Sequence, residues 1–261
     1  MDLVPTADGV IAHDLRTGIP FPDASFDAVY HSHLLEHFPK SQAAWFIGEG
    51  LRVLRPGGII RVAVPDLERI ASTYLHALEQ AAAGSEEWAW NYDWIMLEMY
   101  DQTMRTTSGG DMARFLEQFP IPNQDFVLKR IGAEARGIME RAEQVRRRAG
   151  AVATTDPQRP TLLSRLLTVV RKPSIVKEAV ARLILGNDYA ALQLGRFRNG
   201  GEVHQWMYDR YSLGVLLSKC GFIDVARMSA SQSRIPGWPT FCLDAEPDGT
   251  PYKPDSLYME A

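Results

Sequence analysis

Phe26-Asp27-Ala28-Val29-Tyr30, the run from Ser41 to Leu54, Pro56-Gly57-Gly58 and Ile59-Ile60-Arg61-Val62-Ala63-Val64 follow one another within forty residues and decide the fold. The first and last are short runs rich in β-branched and aromatic residues, the signature of buried strands. Between them Ala44, Trp45, Ile47, Leu51 and Leu54 recur with a period near 3.6, which predicts a helix with that face inward. Pro56-Gly57-Gly58 stops the helix and reads as a turn. Strand, helix, turn and strand at this spacing make a βαβ unit, and the right-handed crossover rule makes its strands parallel.

Working outward, Val10-Ile11-Ala12 is a short strand candidate ending at His13-Asp14, and Ile19-Pro20-Phe21-Pro22-Asp23 is a proline-punctuated loop. From about Leu67 to Gly195 the pattern is almost wholly helical, with breaks at Gly84, Gly109-Gly110, Pro120-Ile121-Pro122, Asp156-Pro157 and Pro173. That is too long for one crossover helix. An α/β pattern returns with an amphipathic helix from Asp209 to Gly221 and a strand starting at Phe222-Ile223-Asp224-Val225. Phe241-Cys242-Leu243-Asp244 and Ser256-Leu257-Tyr258-Met259-Glu260 then read as a closing antiparallel pair around Pro247-Asp248-Gly249. The expected organisation is an α/β domain from residues 1–70 and 200–261, interrupted by a helical insertion or cap at 71–199.

Charge sets the insertion apart. Between Leu128 and Leu185 stand 13 Lys/Arg against 5 Asp/Glu, whereas the whole chain carries a formal net charge of −4. The overall balance gives no reason to expect nucleic-acid binding. Leu162, Leu163, Leu166, Leu167, Val169 and Val170 before Pro173, and Ile175, Val176, Ala179, Val180, Leu183 and Ile184 after it, have amphipathic spacing with interleaved Arg and Lys. Two readings stay open: a cap with a solvated basic face, or a surface at 128–185 for peripheral contact with anionic lipid or a phosphate-bearing acceptor. The two cysteines, Cys220 and Cys242, suit neither a disulfide framework nor a zinc site, and no apolar leader or membrane-length run is visible. These features predict a cytoplasmic protein.

Three stretches carry a resemblance. The first is His13-Asp14-Leu15 followed by the segment from Ile19 to Tyr30; the second is Ser32-His33-Leu34-Leu35-Glu36-His37. The third is Glu49 and Leu51-Arg52-Val53-Leu54-Arg55-Pro56-Gly57-Gly58 with the strand to Val64. In this order and spacing they resemble class I S-adenosylmethionine-dependent methyltransferases, specifically the type 11 branch. The likeness covers residues 1–70 and resumes more loosely from Val203 to Ala261. It implies a Rossmann-like α/β sheet with S-adenosylmethionine across the carboxyl ends of its strands. It also implies roles for particular residues: Asp14 and the Leu15 N–H toward the adenine, Asp2 toward the ribose hydroxyls, and Ser32 and His33 beside the methionine part. If the acceptor is a hydroxyl, a histidine is a suitable general base, and His33, His37 and above all His204 are the candidates. Plainer readings stand beside these. Asp14 is equally a cap for the Arg16-Thr17-Gly18 turn, Asp2 a terminal residue, and Glu36 and His37 structural groups at a helix start.

The family's Asp/Glu-x-Gly-x-Gly loop has no counterpart here, since Gly57-Gly58, Gly109-Gly110 and Gly200-Gly201 are simple pairs. The expectation is therefore an N-terminally truncated sheet and a start assigned too late, with the activity of this chain left open. Two functions follow: a methyltransferase acting on a small-molecule or glycan- or lipid-linked acceptor, or a non-catalytic methyltransferase-like module that binds a partner or membrane surface.

Overall fold

A computed structural model describes residues 1, 8–152 and 173–261. Asp2 and the run from Leu162 to Val170 lie outside the described residues. Four strands form one sheet: β1 (Phe26–Ser32), β2 (Leu54–Pro65), β3 (Ala226–Met228) and β4 (Ser256–Glu260), in the order β1-β2-β4-β3. β1 and β2 are parallel, joined over α1 (Lys40–Val53) as the sequence pattern predicts. From Ile60 to Pro65 every β2 residue is buried, as a strand covered on both faces requires. β4 runs antiparallel to both β2 and β3.

Local details depart from the periodicity. The inward face of α1 is Ala43, Phe46, Ile47, Gly50 and Val53, while Trp45 and Leu51 are exposed. The sheet fixes this phase, because a Cβ on Gly50 would stand 3.2 Å from Ile60 Cδ1. Only a glycine face lets the helix approach β2 so closely. Pro56-Gly57-Gly58 lies within β2 and shifts its register: Phe26 faces Leu54 but Ala28 faces Ile59. That is a bulge more than a turn, with Gly57 at φ +78°. Among the described residues Val10-Ile11-Ala12 shows a single β-bridge position at Ala12 and no longer strand, and Ile11 is exposed. Phe222–Val225 precedes the strand, which begins at Ala226. Phe241–Asp244 does not pair with the last strand. Trp238–Phe241 is a helical turn, Cys242 is left-handed at φ +47°, and Asp244 is drawn to the sheet by an ion pair with Arg61.

Among the described residues the helices between β2 and β3 are α2 (Leu67–Ala82), α3 (Glu86–Met104), α4 (Gly110–Leu116), α5 (Gln124–Ile131), α6 (Ala133–Val152), α7 (Pro173–Leu185), α8 (Tyr189–Arg198) and α9 (Arg210–Lys219). Asp66, Ser85 and Asp209 cap α2, α3 and α9 by accepting backbone N–H bonds. The helices hold a second core of Trp94, Ile95, Phe115, Leu116, Val127 and Ile131. The sheet's own core is built on Leu35, Ile47, Ile60, Leu213, Leu217 and Leu257. Arg130 is buried against Glu98, so it is no part of the basic surface; Arg136, Arg141, Arg146, Arg147 and Arg148 on α6 are exposed. No described helix is long and apolar enough to cross a membrane.

Candidate cofactor cavity and its histidine cluster

β1 delivers the site. Alternation along the strand sends His31 inward against Phe46 and leaves Ser32 exposed at the strand's carboxyl end. His33 then turns left-handed at φ +49° while its N–H still bonds the Ala63 carbonyl at 2.9 Å. A non-glycine residue held in that region stores roughly 1–3 kcal/mol and marks a place where the fold overrides local preference. The side chain explains how it is held: His33 Nε2 is 2.9 Å from Ser256 Oγ, and Nδ1 is 3.3 Å from Glu36 Oε1.

A cavity of about 700 Å³ opens beside this corner. Asp14, Leu15, Ser32, His33 and His37 all line it, so five of the residues singled out in the sequence meet there. The Asp14 carboxylate accepts from the Arg16 backbone N–H at 3.0 Å and from its guanidinium at 2.8 Å, as the turn-cap reading requires. Those bonds, chiefly the guanidinium's, hold its carboxyl below the usual range. A carboxylate has about four acceptor positions, and the Arg16 backbone N–H, Nε and Nη2 make four contacts with them, so a further donor must displace part of the guanidinium. Tyr30, His31, Gln42, Arg198, Asn199 and Gln205 also line the cavity and were not singled out in the sequence. Arg198 and Asn199 come from the end of α8, where Arg16 Nη1 donates to the Asn199 carbonyl at 3.4 Å. No periodicity signals where such a chain end will land.

His204 does not line the cavity; it lies behind His37, with ring centroids 4.7 Å apart at 86°. Backbone bonds place it: its N–H donates to the Gln102 carbonyl at 2.9 Å, and the Gln205 N–H donates to the Glu36 carbonyl at 2.6 Å. The sequence makes His204 the foremost general-base candidate, but the structure buries it away from the cavity. Burial drives His204 down to about 3 and also lowers His37, so both rings are neutral near pH 7. His37 Nδ1 lies 3.4 Å from the Val203 carbonyl, to which it donates. Glu36 is fully buried, and its carboxylate makes no well-formed hydrogen bond beyond the 3.3 Å approach of His33 Nδ1 to Oε1. Burial works to raise its pKa, but the surrounding histidines, His33 foremost, hold it below the ordinary value.

His31 has neither ring nitrogen bonded, and burial pushes it down to about 4. The unfolded histidine takes up a proton near pH 6.5 and the folded one does not, so its contribution is present above that pH and fades as pH falls toward 4. At roughly 1.4 kcal/mol per unit this amounts to about 2–3 kcal/mol by pH 4.5. The His31→Leu variant is expected to unfold in urea with a visibly flatter stability profile between pH 7 and 4.5. An unchanged slope would show that His31 is not the group responsible.

A family model described as a methyltransferase domain, of the type 11 branch, matches residues 5–62. This segment contains β1, α1, β2 as far as Val62, and the cavity residues from Asp14 to His37. A probable S-adenosylmethionine-dependent methyltransferase of Mycolicibacterium smegmatis is 41% identical over 56 residues, which make up 22% of this chain and 21% of that protein. The chain thus aligns with about a fifth of the length of this curated relative. No solved structure matches. The four-stranded α/β sheet is consistent with the Rossmann-like methyltransferase fold that the matched segment implies.

Proposed function

We propose that this chain is an S-adenosylmethionine-dependent methyltransferase whose cofactor occupies the cavity at the carboxyl end of β1. The observation that carries this reading is the convergence of Asp14, Leu15, Ser32 and His33 on one cavity inside the segment that matches the methyltransferase family. Its volume falls in the roughly 300–1,000 Å³ range of small-molecule sites. Open α/β sheets take their ligands at the carboxyl ends of their strands. Asp14 becomes an acceptor for the adenine amino group once the Arg16 guanidinium swings aside, and Ser32 and His33 supply polar atoms beside the methionine part.

Methyl transfer from a sulfonium asks mainly for alignment of acceptor, methyl and sulfur. If a proton must leave a hydroxyl acceptor, His204 is badly placed to take it, since His33 and His37 reach the cavity and His204 does not. His204, held down to about 3, is also too weak a base for work near neutral pH. The acceptor is a small molecule or a glycan- or lipid-linked group. Arg16 and Arg198 at the cavity favour one that bears a phosphate. Exposed Val180, Leu183 and Ile184 beside Lys177 and Arg182 on α7 support peripheral contact with an anionic surface that presents such an acceptor.

Equilibrium binding of radiolabelled S-adenosylmethionine tests the reading. The protein is expected to bind saturably, and Ser32→Trp, which fills the cavity from an exposed position, is expected to weaken binding by at least about tenfold. Binding that Ser32→Trp leaves unchanged would place the cofactor elsewhere.

A further inference from the structure

Glu36, His37 and His204 meet behind the cavity wall, each offering one ligand atom, with those atoms all within 4.8 Å of one another. Two imidazoles and one carboxylate are the donor set of catalytic zinc sites and of non-haem divalent iron sites. We infer that these three residues form a binding site for a divalent first-row transition ion.

Three observations support it independently of the cofactor assignment. First, both Glu36 oxygens are buried with no contact better than the 3.3 Å approach of His33 Nδ1 to Oε1, and Nδ1 of His204 is buried without a hydrogen-bond partner. Buried carboxylates are normally paired or coordinate a metal, because an uncompensated one is costly. Second, the cluster has the outer support that metal ligands carry. His37 Nδ1 donates to the Val203 carbonyl, which leaves Nε2 with its lone pair free to coordinate. His33 stands 3.3 Å from Glu36 and is itself anchored on Ser256. Third, the framework behind the ligands is fixed by backbone bonds, from the residue 204 N–H to Gln102 and from the residue 205 N–H to Glu36.

Metal–ligand bonds of about 2.0–2.2 Å put tetrahedral ligand atoms near 3.4 Å apart, so binding draws the three side chains together by about an ångström, within the reach of χ rotations. Three protein ligands leave one position open. Of the three ligands His37 alone lines the cavity, so that position lies in the protein interior, to be filled by water. Magnesium fits poorly, since it prefers an all-oxygen octahedral shell.

The test uses the whole protein, stripped with chelator and without S-adenosylmethionine, titrated with Zn²⁺ against a chromophoric chelator and with Co²⁺ by visible absorption. One equivalent of Zn²⁺ is expected to bind and raise the melting temperature, and Co²⁺ is expected to give the d–d bands of a low-coordinate site. Glu36→Gln and His37→Gln should each weaken Zn²⁺ binding by about 10–100-fold. If Glu36→Gln does not fold, the half-buried His37 variant decides alone. No stoichiometric binding, or binding that both variants leave intact, would overturn the proposal and leave Glu36 as a carboxylate neutralised internally by His33. Because no step involves S-adenosylmethionine, failure here would leave the methyltransferase reading standing.

Discussion

Replacing Arg61 by methionine is expected to cost about 3–5 kcal/mol of folding stability, measured by urea unfolding near pH 7. Arg61 is fully buried in β2, where an apolar residue would ordinarily stand. Its Nε donates to Asp244 at 2.8 Å and its Nη1 to Glu260 at 2.7 Å. The remaining donors reach the carbonyls of Gln232 and Ser229, and the guanidinium lies 4.4 Å from the Trp238 ring centroid. Truncation leaves two buried carboxylates facing each other without a cation. The same geometry dictates a rescue. Adding Asp244→Asn and Glu260→Gln to Arg61→Met removes the stranded charges and should recover much of the loss. A single variant within about 1 kcal/mol of the parent would mean that the surrounding segment rearranges to admit water.

Glu98→Ala is expected to cost a comparable amount, about 3–5 kcal/mol, in the helical part. Glu98 accepts from Arg130 Nε at 2.8 Å and Nη2 at 2.5 Å, and from Trp94 Nε1 at 2.5 Å. Both members of the pair are almost wholly buried, at 2% and 5% exposure, so solvent cannot take over for the missing partner. The pair pins α3 to α5 within the second core. Urea unfolding followed by far-ultraviolet circular dichroism should show the loss. Glu98→Gln, which keeps an acceptor for Trp94, should cost less.

The parallel unit was legible in the sequence because two apolar runs, a periodic helix and a glycine stop all point to one answer. The phase of α1 was not. Trp45 and Leu51 are more apolar than Gly50, yet contact between Gly50 and Ile60 sets which face turns inward. Residues 241–244 were misread for a related reason. Their apolar alternation suggests a strand, while the charge of Asp244 is committed to Arg61 on β2. Side-chain pairing across 183 residues leaves no mark on local pattern.

The cavity divides in the same way. Ser32, His33 and His37 lie within one βαβ unit and Asp14 shortly before it, so their convergence follows from local spacing. Arg198, Asn199 and Gln205 join them only through tertiary folding of the long helical segment. The burial of Glu36 beside His204 was hidden too, because Ser32-His33-Leu34-Leu35-Glu36-His37 shows no periodicity that separates an inward glutamate from an exposed one.

The central claim is that S-adenosylmethionine binds at the carboxyl end of β1, and hydrogen exchange with and without its product S-adenosylhomocysteine tests it most directly. Binding is expected to slow exchange of the amides in residues 13–16, 30–38 and 198–205, which surround the cavity, and to leave those of α5 and α6 unchanged. No protection at 13–16 and 30–38, or protection confined to the helical segment, would contradict it.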